Sequence, residues 1–204
     1  MNMSRRSAIA AAGLALAGGA ARTAVGETKP TGMGIVIHSY GIRRFPDPLA
    51  FLRHCRALGA AGAQTSLGAP DDRSLEAIRA YAEENGLYLE STIGLPRERE
   101  DLPRFTAEIE AARRCGVQVF RTVLMNGRRY EVFDSAEGFR QFREQARRAL
   151  ELALPVVEAH TIRMAIENHK DLQSPDLVEL IRRLDSPWVG VCLDTGNNLA
   201  LLED

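Results

Sequence analysis

The sequence predicts an α/β fold of the (β/α)8 TIM barrel kind, incomplete, with about six βα units present. Three observations point there. Six short apolar runs alternate with five amphipathic helical stretches between residues 34 and 204, and regular alternation means right-handed parallel crossovers. No Gly-rich phosphate loop follows the first run, as a dinucleotide-binding open sheet would require. A polar side chain closes nearly every run (His38, Gln64, Glu90, Arg121, Glu167 and Asp194), which suits residues ringing one mouth of a barrel.

Each element follows from its own chemistry. GIVIHSYG gives a first strand from Gly34 to Ile37, ending on His38. DPLAFLRHCRALGAAG is a helix capped by Asp47 and stopped at Gly59 or Gly62, because a short side-chain acceptor satisfies the first amides and glycine tolerates the left-handed exit. AQTSLG is a short second strand. SLEAIRAYAEENG is a helix begun by Ser74 and ended by Asn85 and Gly86, and LYLESTIGLP is a strand whose Leu87 to Leu89 lead into Glu90. DLPRFTAEIEAARRCG is the third helix, VQVFRTVLMNG the fourth strand with Arg121 after its apolar part, and SAEGFRQFREQARRALELALPVVEAHT a long fourth helix with Pro155 as a place to kink.

The stretch from Ile162 to Asn197 organises the rest. Two runs of five mostly apolar residues, Ile162 to Ile166 and Val189 to Leu193, are each followed by a carboxylate, Glu167 and Asp194. Between them SPDLVELIRRLDS reads as a helix with Ser174 as cap, Pro175 in its first turn and Leu177, Leu180, Ile181 and Leu184 as its apolar face. This strand, helix, strand unit sets Glu167 and Asp194 at equivalent positions on neighbouring strands, about 5 Å apart. Two carboxylates there can hold one cation, or can be parts of a salt-bridged scaffold.

The first 24 residues stand apart. Ser4, Arg5 and Arg6 precede an Ala- and Gly-rich, weakly apolar run that resembles a twin-arginine export signal, with a cut near Ala20 to Ala24 and a linker over 25–33. The run is too short for a comfortable membrane span. The expected destination is the periplasm or the exterior. Removing Arg5, Arg6 and Arg22 from 26 basic residues, against 27 acidic ones, takes the net charge from −1 to −4. An acidic body of this kind argues against a nucleic-acid partner. Cys55, Cys115 and Cys192 are an odd set without paired spacing, so buried free thiols are expected.

IENH closing one strand and CLDTGN closing the next resemble the sugar isomerase and epimerase superfamily with the xylose-isomerase-like barrel. The likeness covers residues 34–204, about six of eight units, so the chain is read as a truncated product or gene fragment, weak or inactive alone. The resemblance implies a divalent cation (Mn, Mg, Co or Zn) held by carboxylates and a histidine, of which Glu167 and Asp194 match the fifth- and sixth-strand ligands. It also implies that Glu167 is the acid/base group, and that Asn197 stands where relatives place a substrate-side histidine. Relatives carry an acid where this chain has Gln64, which is given no role.

The chemistry asks for such groups. Abstracting a proton beside a carbonyl builds negative charge on oxygen; a metal stabilises it and a carboxylate within reach serves as base. Sugar hydroxyls need polar partners, and His38, His169, Asn197, Glu90 and Arg121 are the substrate-binding candidates, with Asn168 beside them. Glu90 pairing with Arg121 is the structural alternative for both. His54 and His160 on helices, and Trp188 ahead of its strand, read as structural. The expected function is a metal-dependent isomerase or epimerase of a free sugar or sugar-like polyol. A lyase or dehydratase on the same barrel and a non-catalytic sugar-binding barrel are the alternatives. No membrane partner beyond export is expected, and a homo-oligomer is allowed.

Overall fold

Parallel pairing of all six strands in chain order makes the sheet β1-β2-β3-β4-β5-β6. The computed structural model describes residues 32–41 and 45–203; the expected leader and all but the end of the linker lie outside them. The strands are β1 (Gly34–Val36), β2 (Gly62–Thr65), β3 (Tyr88–Thr92), β4 (Val119–Thr122), β5 (Arg163–Glu167) and β6 (Val189–Cys192). The helices are α1 (Pro48–Ala57), α2 (Asp72–Glu84), α3 (Leu102–Arg114), the single turn α4 (Arg129–Val132), α5 (Ala136–Ala159) and α6 (Ser174–Leu184). This is an α/β fold whose six units form part of a TIM barrel, with β1 and β6 at the sheet edges. Among the described residues, no helix is long and apolar enough to cross a membrane.

Caps set the helix starts, with two departures from expectation. Asp47 accepts the Ala50 N–H at 2.7 Å and opens α1 as read. Helix α2 begins two residues before Ser74, with Asp71 as its cap: Asp71 accepts both the backbone N–H and the hydroxyl of Ser74 at 3.0 Å, and its negative charge suits the helix N-terminus. At α6, Ser174 lies inside the helix rather than capping it. Its N–H and Oγ donate to the two carboxylate oxygens of Glu203, 29 residues on, at 2.7 and 2.8 Å. Pro155 lies within the span of α5.

The core lies between the outer face of the sheet and the helices. Met164 and Ile166 of β5, Ile162 just before it, Phe120 of β4, Phe105 and Ile109 of α3 and Leu150 of α5 are fully buried there. Cys55 and Cys115 belong to this core, and the thiols are free, as read. Trp188 packs against the same core.

The inner face is built in rungs. Gly34, Gly62 and Tyr88 make one. A Cβ on Gly62 would lie 2.5 Å from the Tyr88 ring, and one on Gly34 would lie 2.4 Å from its hydroxyl, so two glycines make room for one aromatic ring. Val36, Gln64 and Glu90 form the next rung on this side. Thr92, Arg121, Ala165 and Gly190 form one across the sheet, and Glu167 with Cys192 forms the one above it.

Candidate functional site

Strand polarity gathers the predicted polar residues at one end of the inner face. Arg121 and Glu167 are the centre. Arg121 stands opposite Ala165, two residues short of Glu167, and the small methyl there lets the guanidinium pass over it. Arg121 Nε donates to Glu167 Oε2, and the two side chains are 13% and 8% exposed. The other carboxylate oxygen, Oε1, accepts from Asn197 Nδ2 at 3.1 Å. A buried carboxylate is thus held between a cation and an amide, as desolvation demands.

Glu167 and Asp194 are not at equivalent positions. The partner of Glu167 across the sheet is Cys192, and Asp194 follows two residues later, beyond the end of β6. The strand stops earlier than its apolar run because Leu193 lies outside the ladder and is exposed. Asp194 Oδ1 accepts the backbone N–H groups of Gly196 and Asn197 at 2.8 and 3.0 Å. Asn197 therefore touches both carboxylates, Asp194 through its backbone and Glu167 through its side chain.

Asn168 serves a different purpose from the substrate contact read for it. It is 3% exposed. Its Oδ1 accepts the Asp194 N–H at 2.7 Å, and its Nδ2 donates to the Asp194 carbonyl at 2.8 Å and to Asn198 Oδ1 at 3.2 Å. A side-chain amide that completes a backbone donor and acceptor continues the ladder where β6 has ended. It ties the end of β5 to the Asp194 loop.

The structure separates Glu90 from the partner proposed for it. Glu90 Oε2 accepts from Gln64 Nε2 at 2.8 Å, leaving Arg121 to Glu167. Gln64, given no role in the sequence, holds a candidate site residue in place. His38 lies in a turn of 3-10 helix, Ile37–Ser39, rather than at the end of a longer strand. Burial lowers its pKa, Arg121 and His169 add to the lowering, and Glu167 opposes it. These four residues therefore share one electrostatic neighbourhood. His169, half-buried, has a buried Nδ1 without a hydrogen-bond partner.

Cys192, expected as a buried thiol, is free but only half-buried, and it lies in this same neighbourhood. Burial raises its pKa, and Glu167, Glu90 and Asp194 raise it further while Arg121 opposes them. Its signal in the sequence was its alternation with Asp194 along the strand. Asp171, fully buried in the loop after β5, carried no signal beyond being an acid in a polar stretch.

Glu167 and Asp194 are the residues with the donor chemistry for a divalent ion. Their oxygens suit a hard cation in kind. Among the described residues, no three His, Cys, Asp or Glu side chains are grouped to hold a metal; the two carboxylates are part of a donor set. An ion bound through Glu167 Oε2 would have to displace Arg121 from that oxygen.

Residues 52–204 match the family model described as xylose isomerase-like TIM barrel. A 3-oxo-isoapionate decarboxylase of Pectobacterium atrosepticum is 29% identical over 168 residues, covering 78% of this chain and 56% of that protein. The match therefore spans little more than half the length of that curated relative. In fold, the chain is similar to 3-keto-D-glucoside 4-epimerase from E. coli (TM-score 0.65, 15% identity, 85% of this chain and 72% of that one). It is likewise similar to a D-psicose 3-epimerase whose crystal structure was determined in the presence of D-fructose (TM-score 0.66, 16% identity, 84% and 66%).

Proposed function

The chain belongs to the xylose isomerase-like TIM barrel family, and on that premise we propose that the protein is an isomerase or epimerase of a sugar or sugar-like polyol. It works through an enediolate by carboxylate acid/base catalysis, with a divalent metal (Mn, Mg, Co or Zn) as cofactor. The observation that carries this reading is Glu167, a carboxylate 6% exposed at the carboxyl end of β5, held by Arg121 and Asn197. Glu167 and Asp194 would hold the ion, which when bound stabilises charge developing on the substrate oxygen.

The remaining roles belong to the chain's own side chains. Glu167, released from Arg121, moves the proton at the carbon beside the carbonyl. Asn197 keeps its second oxygen oriented. Arg121, Glu90, His38 and His169 supply donors and acceptors for substrate oxygens, and Gln64 fixes Glu90. The similarity to sugar epimerases in fold supports the choice of substrate.

A second reading has its own support in the similarity to a 3-oxo-isoapionate decarboxylase. Loss of CO2 from a 3-oxo acid leaves an electron pair beside a carbonyl, the same charge that proton abstraction leaves. A lyase can therefore use the same cation to hold that charge: the C–C bond electrons stay with the enolate as CO2 leaves, and water returns a proton to the carbon.

Two measurements test these readings. Thermal unfolding with and without Mn2+ compares wild type with Glu167→Gln; a ligand of the native state raises the melting temperature by linkage, and an equal shift in both proteins removes Glu167 from the site. Incubation with keto-sugars in D2O then separates the reactions. Deuterium at the carbon beside the carbonyl marks an isomerase, CO2 from a 3-oxo sugar acid marks a lyase, and sugar binding with neither marks a non-catalytic barrel. Export through the twin-arginine leader in residues 1–24 belongs to the same proposal. Amino-terminal sequencing of the mature protein tests it, and a start at Met1 in the cytoplasm refutes it.

A further inference from the structure

Two neighbouring side chains in the loop between β5 and α6 carry buried polar atoms that the described structure does not satisfy: His169 Nδ1 and Asp171 Oδ2. Asp171 is fully buried, and its other oxygen, Oδ1, accepts the Leu172 N–H at 2.7 Å. Buried polar atoms without partners are rare and costly, so two of them two residues apart require an account. Lys170 between them has a φ of 64°, an uncommon conformation for a side-chain-bearing residue that persists where its surroundings impose it.

The electrostatics place His169 between this carboxylate and the site. Burial raises the Asp171 pKa, and the backbone amides of Leu172, Asp171 and His169 oppose the rise, as does the His169 side chain. On the other side, His169 acts on His38 together with Arg121 and Glu167. One imidazole is thus within electrostatic range of both the buried acid and the charged groups of the site.

We propose that Asp171 is a positioning residue for His169: the two orphaned atoms do not bond each other as the side chains stand, and rotation of the imidazole brings Nδ1–H to Asp171 Oδ2, which fixes the ring as the Nδ1–H tautomer and leaves Nε2 as an acceptor. One hydrogen bond satisfies both orphaned atoms. The tautomer at one nitrogen is set by the hydrogen bond at the other. That the acceptor meets a sugar hydroxyl rests on the function proposed above; the pairing itself does not.

Asp171→Asn gives the test. The substitution keeps the shape of the side chain, and Leu172 N–H retains the oxygen. The amide NH2 then faces His169, and because it only donates, the imidazole must answer with a lone pair at Nδ1. The tautomer inverts to Nε2–H. Ring 15N correlation spectra at pH 8, assigned with His169→Gln, read this directly in the 204-residue chain. The expected result is a protonated Nδ1 in wild type and a protonated Nε2 in Asp171→Asn. An Nε2–H wild type, or the same tautomer in both proteins, overturns the proposal. Should the variant not fold, the wild-type spectrum decides by itself. The readout needs no turnover, so failure of the sugar chemistry and failure of the pairing are distinguishable.

Discussion

Arg121 and Glu167 form a buried ion pair that spans adjacent strands with a two-residue offset, Arg121 lying opposite Ala165 and reaching past it. Both side chains are largely shielded from solvent. If Glu167 binds the proposed cation through Oε2, that ion and the guanidinium of Arg121 compete for one oxygen, and the pair would then link stability to ligand binding.

Arg121→Met should strand the Glu167 charge. Removing one partner of a buried pair costs about 3–5 kcal/mol, which urea unfolding reads as a lower midpoint at unchanged slope. Adding Glu167→Met removes the stranded charge, and the double variant should recover most of that loss. A single variant as stable as wild type would show that the pair is not formed in solution.

Asp194 separates loop structure from ligand chemistry. Asp194→Asn retains an oxygen for the Gly196 and Asn197 amides and should stay within about 0.5 kcal/mol of wild type, whereas Asp194→Ala loses a cap-like contact of about 1 kcal/mol. Both should weaken a Mn2+-induced rise in melting temperature. Undiminished shifts in both would exclude this carboxylate as a ligand.

Gly62→Ala should destabilise by about 1–3 kcal/mol, the usual cost of overpacking, because the added Cβ meets the Tyr88 ring at 2.5 Å. In a Tyr88→Ala background the same change should cost little. Equal costs in the two backgrounds, measured by a double-mutant cycle, would mean that the ring does not lie over the glycine.

Asp171 sets the sign of one pH effect. Its pKa is raised from the ordinary 3.8 chiefly by burial, so the folded state holds the proton more tightly than the unfolded state. Its contribution to stability is fully present below pH 3.8 and is lost as the pH rises through the elevated folded pKa. The neutral side chain of Asp171→Asn does not titrate, so the variant should gain stability relative to wild type as the pH goes from about 4 to 7. A pH-independent difference in melting temperature would contradict the shift.

Apolar runs, helical periodicity and breakers by themselves determined the strand and helix order, the parallel sheet and which end of each strand carries polar groups, because these depend on local spacing that each segment expresses on its own. Glu167, Arg121, Glu90, His38 and His169 were legible as a group for that reason. Tertiary structure decided the pairings. Glu90 went to Gln64, its partner on the same rung, and Arg121 to Glu167, one rung above its own partner Ala165, because the strand register, which no single strand contains, sets which side chains come within reach of each other. Register also put Cys192, rather than Asp194, opposite Glu167. It gave Asn168 to the Asp194 loop, where a backbone donor and acceptor had lost their ladder. Glu203 satisfied the start of α6, 29 residues away, because an open amide takes whichever acceptor the fold brings to it.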